Sequence, residues 1–260
     1  MKRKLAYILT LYFALIAYVG HAEERYRLDT RGPKVNVGIK AGFNSTIFFI
    51  DRFNTGGQEL TDIQNNYKVG YLCAFFCRFN LNKHHFIQPE LSYNISKGSL
   101  SVKRDKNNYD YLANHVLIKS TLHSIDFPIL YGYKFIDTYP YGMAFFVGPK
   151  VSYMWKKHCD NDYTGFYQQQ ITENLRPINF SGTMGLAVNV SNIFFDFRYE
   201  IGLQNLAKSI SYDKATTAAP YDKHSLTIKR RRNVISFSIG VIFLKIDIYI
   251  ILITLKTIES

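Results

Sequence analysis

Eight segments of this 260-residue chain alternate apolar and polar side chains with a period of two, and this pattern constrains the fold more than any other feature. Strict alternation is typical of a β-strand whose two faces meet different surroundings. The segments begin near residues 34, 67, 87, 124, 139, 178, 193 and 235. Each is about 9–11 residues long or longer, which is the length that a tilted strand needs to cross a bilayer.

One face of every segment is apolar and rich in aromatic side chains. Phe and Tyr occur 20 times each, and aromatic residues make up 16% of the chain. In the seventh segment, Phe195 and Phe197 alternate with Asp196, Arg198 and Glu200. Tyr and Trp are enriched where a membrane meets water. We therefore expect the apolar faces to contact lipid and the polar faces to line a lumen.

The connections between the segments alternate in length. Short connections lie at residues 82–85, 136–138 and 191–192, and long ones lie near residues 50–66, 99–116, 157–176 and 206–232. Outer-membrane barrels have short periplasmic turns and long extracellular loops. The predicted fold class is therefore all-β, an eight-stranded antiparallel up-and-down transmembrane β-barrel with short periplasmic turns and long extracellular loops.

A water-soluble barrel of the lipocalin kind is the alternative geometry, with its apolar face turned inward to hold a ligand. The polar face here is rich in Gly, Ser and Asn and carries clustered charges, which suits a narrow lumen better than a solvated surface. One further alternative concerns Pro89 and Pro128, since a slip of one residue at either proline would exchange the lumen and lipid faces of that strand.

The N-terminus has the three parts of a signal peptide. Lys2, Arg3 and Lys4 precede an uncharged apolar run, and His21-Ala22 precedes the charged residue Glu23. We expect cleavage between Ala22 and Glu23. The predicted division is a signal peptide at 1–22, a periplasmic segment at 23–33, the barrel at 34–243 and a C-terminal tail of unknown role at 244–260. The predicted location is the bacterial outer membrane.

Six stretches in order resemble the PorT-like outer-membrane β-barrel proteins, often described as porin-family or outer-membrane β-barrel domain proteins. They are VGIKAGFN at 37–44, FIQPELSYNISKG at 86–98, IDFPILYGYKF at 125–135, YGMAFFVGPKVSY at 141–153, FDFRYEIGLQNL at 195–206 and NVISFSIGVIF at 233–243. The resemblance implies an eight-stranded outer-membrane barrel without an assigned activity. The PorT protein itself is associated with a protein secretion system, and that role is not transferred to this chain. Barrels of this type usually end at an aromatic residue, here Phe243, whereas this chain continues.

The inward face gathers charged residues of both signs, which predicts an ionic cluster filling the lumen. An eight-stranded barrel is just wide enough inside for its own side chains. The alternative is a narrow polar conduit that prefers anions. The cluster comprises Lys40, Arg78, Glu90, Asp126, Lys134, Lys150, Asp196, Arg198 and Glu200, and the same face also includes Lys68.

Four consecutive cations, Lys229, Arg230, Arg231 and Arg232, directly precede the eighth segment. The alternation of turns and loops puts them at the outer surface, where they are candidates for contact with lipopolysaccharide phosphates. The alternative is a solvated loop. No nucleic-acid partner is expected for a protein in this location.

The sequence contains no catalytic signature, so no catalytic residues, metal site or cofactor are predicted. His158-Cys159-Asp160 lacks further ligands at zinc-site spacing, and the three cysteines are expected to be unpaired. The predicted function is a non-enzymatic outer-membrane barrel with a filled polar lumen and partner-binding loops. The alternatives are a narrow channel for small polar or anionic solutes and a lipid-modifying enzyme at the membrane rim. The expected partners are outer-membrane lipid, lipopolysaccharide and an extracellular or secretion-system protein.

Overall fold

The computed structural model describes residues 34–55, 58–59, 63–103, 112–155, 159–217, 219, 221–223 and 226–246. The predicted signal peptide at 1–22 with its cleavage site at Ala22 and Glu23, the segment at 23–33 and most of the tail, 247–260, lie outside the described residues.

Thirteen β-strands account for nearly all of the described chain. They are β1 (Val35–Thr55), β2 (Gln58–Glu59), β3 (Ile63–Tyr67), β4 (Val69–Asn80), β5 (His85–Lys103), β6 (Leu112–Thr138), β7 (Tyr141–Met154), β8 (Asp160–Phe166), β9 (Gln169–Leu175), β10 (Ile178–Val190), β11 (Ile193–Gly202), β12 (Ala207–Asp213) and β13 (Leu226–Ile246). A single turn of 3₁₀ helix covers Tyr221–Lys223. Within these residues no helix has the length and apolar character needed to cross a membrane.

Eight of the strands close into a ring. Each strand pairs antiparallel with the next in the order β1, β4, β5, β6, β7, β10, β11 and β13, and β13 pairs back to β1 along nearly its whole length. Closure leaves no free edge along the ring, which is the condition for β-structure in a bilayer. The predicted eight-stranded antiparallel barrel is confirmed.

The outer surface of the ring is apolar, as the alternation predicts. Phe43, Phe127 and Phe197 each leave more than half of their surface exposed, whereas the charged residues between them turn inward. A soluble lipocalin-like barrel would show the reverse. Pro89 and Pro128 cause no slip, because residues on both sides of each proline keep the same inward and outward phase.

Short turns join the strands at one end of the barrel. They comprise Leu81–His84, Tyr139–Pro140 and Ser191–Asn192, so the turn predicted at 136–138 lies two residues further along the chain. Val35 of β1 pairs with Ile246 of β13, which brings both ends of the barrel chain to this side. In outer-membrane barrels this is the periplasmic end. Strand β13 also runs past Phe243, the predicted end of the barrel, to Ile246.

The described parts of the four long segments predicted to be extracellular are largely β-structure. Strands β1, β5, β6 and β13 continue beyond the apolar belt, β3 pairs with β5, and β8 pairs with β6. A separate ribbon of β9 and β12 extends the wall above β10 and β11. We call this part of the molecule, 46–67, 99–122, 160–176 and 206–234, the extracellular extension.

The extracellular extension has its own apolar core. Inward positions that are polar within the ring become apolar here, as at Phe48 on β1 and at Ile118 and Leu122 on β6. Burial of such side chains stabilises the extension without lipid. The core consists of Phe48, Phe53, Leu100, Val116, Ile118, Leu122, Met154, Phe166, Leu175, Leu206, Leu226 and Ile228.

Candidate functional site

The lumen is filled by three successive layers of side chains. Strand β5 crosses all three, with Phe86 in the periplasmic layer, Glu90 in the middle layer and Leu100 in the extracellular core. Strand β6 repeats the order in reverse, with Leu122, Asp126 and Leu130. The periplasmic layer is apolar and comprises Phe76, Phe86, Leu130, Ala144, Phe146, Ala187, Phe194 and Ile242.

The middle layer contains a central ionic network of four side chains that joins three strands. Lys40 Nζ on β1 lies 3.0 Å from a carboxylate oxygen of Glu90 on β5 and 3.0 Å from one of Asp196 on β11. Arg198 donates two hydrogen bonds to Glu90, at 2.8 and 2.6 Å, and further ones to Asp196. All four side chains are at least 93% buried. Two cations thus neutralise two carboxylates in an environment where an unpaired charge would be strongly destabilising.

Arg78 joins the central ionic network through an amide instead of an ion pair. Its Nε donates to Gln88 Oε1 at 2.6 Å, and Gln88 Nε2 donates to Glu90 Oε1 at 2.6 Å. The Arg78 guanidinium also lies 4.5 Å from the centre of the Phe86 ring in the periplasmic layer. A guanidinium over an aromatic face is held by a cation–π interaction. Arg78 therefore links the ionic layer to the apolar layer below it.

A second cluster, the upper ionic network, lies on β6, β7 and β11. Lys150 Nζ is 3.1 Å from Asp126 Oδ2 and also pairs with Glu200, and Asn94 Nδ2 donates to the same Asp126 oxygen at 2.6 Å. A cavity of about 10 Å³ beside it is lined by Ser152, Asn179 and Glu200, among others. That volume holds about one water molecule.

Eight of the nine predicted lumen residues thus lie in or against these two networks, and Lys134 does not. Lys134 sits near the periplasmic end of β6, where its Nζ is 3.5 Å from Asp137. Lys68 also departs from the expected lumen face. It lies at the break between β3 and β4 and is exposed, because the chain leaves the strand there.

The four cations at 229–232 do not form the exposed patch that the sequence suggested. They lie within β13, so the period of two turns Arg230 and Arg232 inward, where both are buried. Arg231 faces outward but makes a bidentate pair with Asp51, with Nη2 2.7 Å from Oδ1. Only Lys229 remains an exposed cation without a salt bridge among the described residues. The four cations therefore do not share one exposed face.

Buried Arg230 ties β13 to strands on the opposite side of the extracellular extension. Its guanidinium donates to Ser120 Oγ at 2.9 Å and to Glu173 Oε2 at 2.6 Å, and it stacks 4.5 Å from the Phe48 ring centre. Tyr163 donates to the same Glu173 oxygen at 2.8 Å. Burial, followed by the negative charge of Glu173, raises the pKa of Tyr163 well above its usual range. The sequence alone gave no signal for this cluster, because Glu173 and Arg230 are 57 residues apart.

A cleft of about 290 Å³ opens in the extracellular wall between β8 and β9. In the described structure β8 pairs only with β6, and β9 pairs only with β12, so no ladder joins these two strands. The cleft is lined by residues 159–161 of one strand and 171–175 of the other. Glu173 is among the lining residues, but its carboxylate is buried and pairs with Arg230.

The described residues include the three cysteine positions that the sequence singled out. Within them, no three His, Cys, Asp or Glu side chains converge on a metal position. Cys73, Cys77 and Cys159 are free thiols, and His158 lies outside the described residues. His123 Nδ1 is 2.7 Å from the Tyr93 hydroxyl, and the Cys159 thiol hydrogen-bonds with the backbone of His123.

Comparison with known proteins gives one family match. The family model described as outer membrane protein beta-barrel domain matches residues 25–208. None of the curated proteins compared with the chain matches it.

Several solved barrels are similar to the chain at low sequence identity. OprG from Pseudomonas aeruginosa is 11% identical with a TM-score of 0.48, covering 81% of this chain and 96% of OprG. Ail of Yersinia pestis, in complex with sucrose octasulfate, is 10% identical with a TM-score of 0.36, covering 80% and 98%. The translocator domain of NalP from Neisseria meningitidis is 11% identical with a TM-score of 0.32, covering 87% and 96%.

Proposed function

Because this chain belongs to the outer membrane protein beta-barrel domain family, whose model matches residues 25–208, we propose that it is a sealed barrel that holds a folded extracellular extension at the cell surface. The protein is located in the bacterial outer membrane. Its role in this proposal is non-enzymatic, and the barrel serves as an anchor.

The observation that carries the proposal is the filling of the lumen by three layers. A conducting pore needs a continuous polar path, whereas here apolar side chains lie both below and above the ionic networks. The buried ion pairs are mutually satisfied, so they offer no charge for a passing solute to replace. A barrel of this width filled by its own side chains has no aqueous channel.

The extracellular extension supplies the partner-binding surface in this proposal. Its apolar core gives it a fixed shape, and a cleft opens in its wall between β8 and β9. We infer that an extracellular protein binds there. We also propose that the chain is PorT-like within its family, on the six sequence stretches that carry the resemblance.

Liposome swelling tests the sealed barrel. Proteoliposomes with refolded chain should swell in uncharged sugars no faster than liposomes without protein. The comparison is a variant that replaces Phe86, Phe146 and Phe194 with Ala, which truncates three of the eight side chains of the periplasmic layer. Its folding and its incorporation into liposomes are matched to those of the unmodified protein. Swelling of the unmodified protein that falls with sugar size would support a pore and overturn the proposal.

The narrow channel is the second candidate, and the charged side chains of the middle layer favour it. If solutes pass, Lys150→Glu and Arg198→Glu should change ion selectivity, since both side chains lie in the lumen. For a lipid-modifying enzyme we find no specific support in the contacts of His123, whose Nδ1 lies 2.7 Å from the Tyr93 hydroxyl.

A further inference from the structure

Three lysines form a row on the outside of the barrel, directly above its upper aromatic belt. Lys119 on β6 is cross-strand neighbour to Ser99 of β5, and Lys97 of β5 is opposite Thr121 of β6, so the two lysines are diagonal neighbours. Lys68 lies next to Tyr67, whose partner on β5 is Gly98. We call Lys68, Lys97 and Lys119 the lysine row. Diagonal neighbours lie about 7–8 Å apart, and directly opposite residues about 5 Å apart.

All three lysines point away from the lumen. Lys68 and Lys119 are exposed, and Lys97 is half-buried on the outward phase of β5. The described residues form no salt bridge with any of them. Two exposed carboxylates of β8 lie beside the row, Asp162 as cross-strand partner of Lys119 and Asp160 as partner of Thr121, but neither forms a salt bridge with these lysines. Like charges this close repel one another unless an anion lies between them.

The row lies at the height where lipid phosphates are found. Lys97 Nζ is 6.0 Å from the ring centre of Tyr71, which belongs to the belt of exposed aromatic side chains on β4. Lys68 precedes Tyr71 by three residues, which places it about 10 Å further toward the extracellular side. Aromatic belts mark the boundary between acyl chains and head groups. Cations just above that boundary therefore face the phosphate layer of the outer leaflet.

We propose that the lysine row binds the phosphate groups of lipopolysaccharide in the outer leaflet. The row takes the role that the sequence suggested for Lys229–Arg232, where two side chains are buried and Arg231 is already paired with Asp51. Unlike Arg231, the three lysines can bind phosphates without first breaking a salt bridge within the protein. The inference does not depend on whether the lumen is sealed.

The test measures stabilisation of the folded full-length barrel by defined lipids. In detergent micelles, the temperature midpoint of the heat-modifiable gel shift is recorded against added bisphosphorylated lipid A. The row variant is K68Q/K97Q/K119Q. The matched control is R52Q/K208Q/K229Q, which removes three exposed extracellular cations elsewhere.

We expect lipid A to raise the midpoint of the unmodified protein and of the control. In the row variant, the half-maximal lipid concentration should rise about tenfold or more, since each cation near an anionic surface contributes on the order of 1 kcal/mol. Dephosphorylated lipid A should not raise the midpoint of any of these proteins. K97R keeps the positive charge, so its midpoint should respond to lipid A like that of the unmodified protein. This variant can be measured even if the triple variant does not fold.

Three results would overturn the proposal. The row variant could respond to lipid A like the unmodified protein, or the control could lose the response equally, which would indicate diffuse attraction. Inorganic phosphate at the same phosphate concentration could give the full effect, which would assign the row to free anions instead of lipid.

Discussion

Glu90 is the residue on which the central ionic network depends. It accepts hydrogen bonds from Lys40, Arg198 and Gln88, and its side chain is 1% exposed. Because burial removes water from all of these groups, each charge is stable only with its partners. Single side chains, and not the fold as a whole, therefore decide the stability of the middle layer.

Glu90→Gln should destabilise the barrel by about 3–5 kcal/mol, because it leaves Lys40 and Arg198 with one fewer buried carboxylate. The measurement is urea unfolding of the refolded protein in lipid vesicles, followed by Trp155 fluorescence and gel migration. Asp51→Asn is the control, since it breaks the exposed pair with Arg231 and should cost about 1 kcal/mol or less. Equal losses of unfolding free energy in the two variants would contradict the dependence of the central ionic network on Glu90.

Cys159 allows a chemical test at the same scale. Burial raises the pKa of its thiol, and the hydrogen bond with the His123 backbone only partly opposes that effect. A raised pKa lowers the thiolate fraction at neutral pH, and the thiolate is the species that reacts. In a C73S/C77S background, maleimide labelling of the folded protein at pH 7 should be about tenfold slower than after unfolding, and it should accelerate as the pH rises.

Equal labelling rates in the folded and unfolded protein would show that Cys159 is exposed, and with it the wall beside the cleft.

The strands of the ring illustrate what the sequence predicts well. Alternation identified all eight strands and the lipid face of each, because a slip of one residue would have placed charged residues such as Asp196 and Arg198 in lipid. It failed where the environment changes along a strand. Phe48 and Leu122 continue the inward phase, but they are apolar, so the segments around them no longer alternate and lie outside the predicted strands.

Charge patterns were informative only where the strand phase was known. Once β13 is seen to begin at Leu226, the run at 229–232 divides into two inward and two outward residues. Contacts between distant strands, such as Arg230 with Glu173, depend on the closure of the barrel and leave no local signal. The lysine row was likewise invisible, since its members come from three separate segments.

Close approach between two strands makes glycine necessary on β7. A Cβ at Gly148 would lie 2.0 Å from the backbone oxygen of Ile129 and 2.9 Å from Leu130 Cα on β6, and backbone cannot move aside easily. Gly148→Ala should therefore destabilise the barrel by about 1–3 kcal/mol through overpacking. A Cβ added at Gly182 on β10 would meet no atom within 4 Å. Gly182→Ala should therefore be neutral or slightly stabilising.

Both glycine variants are compared by the same urea titration in vesicles. A tolerated Gly148→Ala, with unchanged unfolding midpoint, would show that β6 and β7 are further apart than described.

On the scale of the whole molecule, the barrel combines two kinds of stabilisation. The ring has an apolar outside and an ionic inside, whereas the extracellular extension has an apolar inside and a polar outside. The outer and inner faces exchange polarity at the membrane surface, because the ring is surrounded by lipid and the extracellular extension by water. The periplasmic layer and the extracellular core close the ionic middle from both ends, so the central claim is that nothing passes through.

Planar-bilayer recording of the purified, refolded chain tests that claim most directly, after a heat-modifiable shift in gel migration has verified that the barrel is folded. The filled lumen predicts a silent bilayer, with no resolved current steps in salt solution at voltages that leave the membrane intact. Steady ohmic steps from the folded protein, altered by Lys150→Glu or Arg198→Glu, would contradict the sealed barrel and establish a pore.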